Sequence, residues 1–166
     1  MCHLLTIGIA GGTGNVTDVF HTHGFHTEPA VNPHVRAAMP QDSLLLDVTD
    51  GGCSCSICVR SVAVFDVAAE RARYARKGWS AAKVARAIEA KHAAHGRPKV
   101  NSKAQQFCLT VEALARAGAS IALISHFYDG LFAEEVVSVG ARAQISLPDF
   151  LKNQGVFPAD TLVTIE

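Results

Sequence analysis

The sequence predicts one α/β domain over residues 1–166, with a mixed sheet of about five strands and three main helices between the second and third. Two almost wholly apolar runs, residues 43–49 and 120–128, read as central strands covered on both faces. Between them lie three stretches of helical apolar spacing, each with start and stop signals. The final third then returns to short β-branched runs, so strands flank a helical middle. With 166 residues and 49% hydrophobic content, the chain is large enough for a core and too apolar for disorder.

In order, LLTIGIA at 4–10 reads as a first buried strand. Gly8, Gly11 and Gly14 follow a G-x-x-G-x-x-G spacing of the kind that lets backbone approach a phosphate, but only 16–21 offers a helix after it. Residues 28–40 are turn-like. Asn32 before Pro33 marks a helix start, giving a single turn through Val35, Arg36 and Ala37. The strand at 43–49 leads into Asp50-Gly51-Gly52. Residues 59–65 read as extended chain. Asp66 caps a helix to Lys77, stopped by Gly78. Ser80 caps a second helix to His95, ended by Gly96 and Pro98. Asn101 or Ser102 caps a third to Ala117, with Phe107, Cys108, Val111 and Leu114 on its buried face. Asp129-Gly130 turns into a strand at 135–140, continuing as 142–146, and favours an antiparallel pair. A short helix at 147–153 and a strand at 161–166 complete the chain.

The densest chemistry is C-x-C-x-x-C at Cys53, Cys55 and Cys58, on the glycine turn after the second strand. Thiolates bind zinc or iron well, and C-x-x-C within one turn can chelate, so zinc is possible here. Cys2 or His3, on a strand that can lie alongside, would supply a fourth ligand. His21, His23 and His26 form a second candidate set. On a strand, His21 and His23 would share a face. Cys55 and Cys58 also make a C-x-x-C redox spacing. Asp50, His126 and Asp129 sit at strand ends, where α/β folds place function. If the two central strands are neighbours running the same way, His126 and Asp129 would face Cys53 or Cys55 as a nucleophile's base and orienter. No cofactor is expected from the composition alone, and no residue is assigned a catalytic role.

Net charge is zero, so no global field recruits nucleic acid or membrane. Basic residues are nonetheless concentrated. Arg71, Arg73, Arg76, Lys77, Lys83, Arg86 and Lys91, with Arg97, Lys99 and Lys103, face one acid, Glu89, in residues 71–103. That stretch suits an acidic protein surface better than nucleic acid. No apolar run spans a membrane, no basic segment precedes 4–10 as in a signal peptide, and an odd set of five cysteines is not a disulfide framework. A reducing cytoplasm is the expected location.

MCHLLTIGI, NPHVRAAMP, LDVTDGGCSC, RARYARKGWSAAKVARAIEA and ALISHFYDG together resemble a family of small stand-alone bacterial proteins without an assigned activity. The resemblance covers most of the chain and implies no chemistry. The His-rich segment at 21–26 departs from it. In size and class the chain also resembles immunity proteins of contact-dependent inhibition systems, with no motif behind that likeness. Together these features favour a non-enzymatic protein-binding domain, such as an immunity protein that neutralises a toxin. A thiol- or metal-dependent enzyme at the cysteine turn is the alternative, and nucleotide binding at Gly8 to Gly14 is the third reading.

Overall fold

A computed structural model describes residues 2–12, 14–58, 67–95 and 102–166. The extended reading of 59–65, the Asp66 and Asn101 caps, the Gly96–Pro98 stop, and Arg97 and Lys99 fall outside those residues. The fold is mixed α/β. In chain order it runs β1 (Cys2–Gly11), α1 (Val16–Thr22), β2 (His26–Pro29), α2 (Pro33–Ala38), β3 (Leu44–Thr49), α3 (Cys55–Cys58), α4 (Val67–Arg76), α5 (Ala81–His95), α6 (Ser102–Arg116), β4 (Ala119–Tyr128), β5 (Ala141–Ile145), α7 (Leu147–Lys152) and β6 (Thr161–Ile165). The chain divides into two compact units, residues 1–59 with 101–166, and residues 60–100.

The first unit carries a six-stranded sheet ordered β2-β3-β1-β4-β6-β5. β1 is antiparallel to both its neighbours, β3 and β4. β3 and β4 therefore run in the same direction without touching, as the sequence reading required in direction but not in adjacency. Consequently the ends of β3 and β4 and the start of β1 lie at one end of the sheet.

The faces follow from alternation along β1. Leu5, Ile7 and Ile9 join Leu46, Val48, Ile121 and Leu123 in one core with Phe20 of α1, Phe107 and Val111 of α6, and Phe150 of α7. On the other face Leu45, Ala122, Ile124 and Leu162 pack with Val35 and Met39, and with Val137. Gly8 belongs to β1, not to a loop. A Cβ there would meet Leu45 Cδ2 at 3.1 Å and Met39 Sδ at 3.4 Å, so its bareness serves packing.

Three elements differ from expectation. β2 pairs with β3 as an edge strand, where Pro29 is tolerated because its missing N–H faces outward. Residues 135–140 are not a strand: Phe132, Val137 and Val139 are apolar because they cover a sheet face. β4 accordingly pairs antiparallel with β6, while the edge strand β5 is parallel to β6, so the Asp129-Gly130 turn makes no hairpin. Asn32 caps α2 by accepting from His34 N–H at 2.9 Å and Val35 N–H at 3.1 Å. Its amide donates to the carbonyls of Phe132 at 2.5 Å and Glu135 at 2.9 Å, which holds that covering segment.

The second unit is described by α4 and α5. Tyr74, Val84 and Ile88 are its buried contacts, and Tyr74 stacks on Trp79 at 4.7 Å. Lys91 pairs with Glu70 at 2.8 Å. Among the described residues, no helix is long and apolar enough to cross a membrane.

Candidate metal centre

The site begins with how β3 ends. After Val48 the chain leaves β1, closing its turn with Asp50 N–H on the Cys53 carbonyl at 3.0 Å. Gly51 and Gly52 take φ of 80° and 136°, values that side chains resist. The turn returns to β1 through Ser54, which is fully buried. Ser54 N–H donates to the His3 carbonyl at 3.0 Å. Its hydroxyl accepts from Leu5 N–H at 2.8 Å and donates to the Val48 carbonyl at 2.5 Å. One hydroxyl thus serves two backbone groups at the point where β1 and β3 part. The flanking residues, Cys53 and Cys55, are thereby brought to the start of β1.

There the sulfurs of Cys2, Cys53 and Cys55 lie within 4.8 Å of one another, the sole such group of metal-ligating side chains among the described residues. All three are partly exposed free thiols. Cys55 Sγ also accepts His3 N–H at 3.3 Å. Tyr128 lies opposite Cys2 in the β1–β4 register. Burial, followed by the nearby Cys2, Cys53 and Cys55, pushes its phenol above the ordinary value.

The donor set fits a thiophilic ion. Zinc–sulfur bonds of ~2.3 Å in tetrahedral geometry set sulfurs ~3.8 Å apart, so closure needs a contraction of at most ~1 Å. Three sulfurs leave a fourth position for an exchangeable ligand.

Cys58 lies outside this group. It ends the single turn of α3 and packs against the core. Burial, with smaller contributions from Cys55 and Cys53, pushes its thiol up to about 12. The C-x-x-C pair is therefore helical, a turn that spacing did not announce. Asp50 pairs with Lys103 Nζ at 2.8 Å, and that hydrogen bond holds its carboxyl below the usual range.

The histidines divide. His21 lies on α1, where positions two apart point to opposite sides, so the shared-face argument for His21 and His23 does not hold. His21 and His26 meet edge to face at 5.9 Å, and His23 Nδ1 contacts the Val19 carbonyl at 3.1 Å. His3 Nδ1 is buried without a hydrogen-bond partner, and burial foremost lowers its pKa.

His126 does have an acidic orienter, but it is Asp160 and not Asp129. Nδ1 meets Asp160 Oδ1 at 2.5 Å, while Nε2 is buried, without a hydrogen bond, and 3.8 Å from Glu135 Oε1. Asp160 holds a left-handed φ of 57°, fixed by its N–H on the Ser125 carbonyl and its carbonyl under Gly140 N–H, both at 2.8 Å. Asp129 is exposed in the turn after β4. β1 intervenes between β3 and β4, so Cys2, not His126, is the direct strand-borne neighbour of the cysteine turn. Ser54, Tyr128, Glu135 and Asp160 were missed. A buried serine between two cysteines is the only one with a sequence signal.

The glycine segment is modest. Gly11, Gly12 and Gly14 line a crevice of about 30 Å³ beside Val16 and Leu114, on the scale of single waters. Of the basic residues, Arg71, Arg73, Arg76, Lys77, Lys83 and Arg86 are exposed on the second unit, and Lys91 is committed to Glu70. No protein-family model, curated protein or solved structure matches the chain.

Proposed function

We propose that the protein binds a thiophilic metal ion, with zinc the first candidate, through the thiolates of Cys2, Cys53 and Cys55. The supporting observation is the convergence of three sulfurs from two distant segments, held by Ser54 and supplied with an N–H donor from His3. Soft sulfur donors select zinc, copper(I) or iron over magnesium and calcium. Metal analysis of protein purified without added metal tests this, followed by cobalt(II) titration read by thiolate-to-cobalt absorption. One ion per chain is expected, lost in Cys2→Ser and Cys53→Ser and retained in Cys58→Ser. Metal-free protein that gives no cobalt–thiolate band sinks the reading.

A second reading concerns the 60–100 unit. The six exposed cations, five on α4 and α5 with Lys77 in the turn after α4, support binding to a protein with an acidic surface. An immunity role is one instance of this reading, and co-expression with a candidate toxin tests it. Charge reversal at Arg73 and Arg76 is expected to abolish protection, and unchanged protection argues against this face.

A further inference from the structure

Cys55 belongs to two groups at once. It is one of the three clustered sulfurs, and it opens the single helical turn that Cys58 closes. The Ser54 carbonyl fixes that turn by accepting Ile57 N–H at 2.9 Å and Cys58 N–H at 2.8 Å. Side chains three apart on a turn are neighbours. Cys55 and Cys58 are both partly exposed, and Cys58 also packs against the apolar core. Two partly exposed thiols thus stand side by side on one turn, one of them against the core, in the C-x-x-C arrangement of reactive dithiols.

We propose that Cys55 and Cys58 form a hydroperoxide-responsive dithiol, and that their oxidation withdraws Cys55 from the metal-binding trio. The Cys55 thiolate attacks the peroxide, and its sulfur takes the terminal oxygen. The O–O bond breaks, and the leaving oxygen picks up a proton and departs as water or alcohol. The Cys58 thiol then attacks the sulfenic sulfur. An S–S bond forms, the S–O bond breaks, and the hydroxyl leaves as water with the thiol proton. Two thiols are oxidised by two electrons, and one peroxide is reduced. A metal held by three sulfurs retains two, Cys2 and Cys53, and is released.

The release rests on the metal reading, whereas the disulfide does not. The test treats the full zinc-loaded chain with hydrogen peroxide and reads zinc release with a chromophoric chelator. Peptide mapping then locates any disulfide. A Cys55–Cys58 bond forming together with zinc loss is the expected result. In Cys58→Ser, zinc binding persists, peroxide-triggered release slows by at least tenfold, and a sulfenic acid becomes trappable at Cys55. A disulfide mapped to Cys2 or Cys53, or an unchanged release rate in Cys58→Ser, overturns the proposal. Should Cys58→Ser fail to fold, the wild-type disulfide map alone decides the pairing. Absence of zinc at the outset defeats the metal reading, and the map made on metal-free protein still decides whether Cys55 pairs with Cys58.

Discussion

Ser54 occupies the position where two strands would otherwise leave a buried N–H and a buried carbonyl unpaired. Ser54→Ala removes both partners at once, and unpaired buried backbone groups are costly. A loss of about 2–3 kcal/mol in unfolding free energy is expected by chemical denaturation. Metal affinity should fall with it, because Cys53 and Cys55 are positioned by this residue. A second residue-level effect concerns Asp47, whose Oδ1 accepts from Thr6 Oγ1 at 2.5 Å. Burial raises its pKa above 3.8, outweighing that hydrogen bond. A carboxyl raised on folding binds its proton more tightly in the native state. Its contribution is fully present below pH 3.8 and is lost as pH rises through the folded value. Asp47→Asn should therefore flatten the stability–pH curve above pH 3.8, as measured by urea melts across that range. An unchanged slope removes Asp47 as the cause.

At the scale of elements, Asn32 joins two parts of the fold through four hydrogen bonds. It caps α2 and bonds two carbonyls of the segment that covers the sheet. Asn32→Ala should cost about 2–3 kcal/mol, combining a lost cap with two unpaired carbonyls. Amide exchange should accelerate in α2 and in residues 132–137 together. Acceleration in α2 alone would show that the covering segment is held by other contacts. The same elements show what sequence could disclose. β1, β3 and β4 were legible because strands covered on both faces are apolar throughout. β2 was not, because His26, Glu28 and Pro29 have the polar character of a loop and find strand geometry only through β3. Residues 135–140 misled in the other direction, because apolar alternation reports burial and not ladder pairing. Cys2 was reachable by guessing which strands adjoin. Asp160 was not, because its role depends on a left-handed backbone that no neighbouring glycine announces.

At the scale of the whole molecule, the proposed metal binding would be linked to folding. An ion that binds only the native chain stabilises it by about 2.7 kcal/mol at a hundredfold excess over Kd. Zinc should therefore raise the melting temperature of the wild type and Cys58→Ser, and leave Cys53→Ser unmoved. Equal shifts in all three would place the ion elsewhere.

The sheet order carries a consequence for biosynthesis. All three clustered sulfurs belong to residues 2–55, while β4, the other partner of β1, begins at Ala119. A ribosome has therefore delivered every sulfur long before β4 exists. β3 is the neighbour of β1 already made at that stage, and an ion captured then, on the proposed metal reading, would hold the two strands together while the remaining chain is made. The centre would act as a chaperone-like clasp during translation, keeping the exposed edge of β1 in register until its late partner arrives.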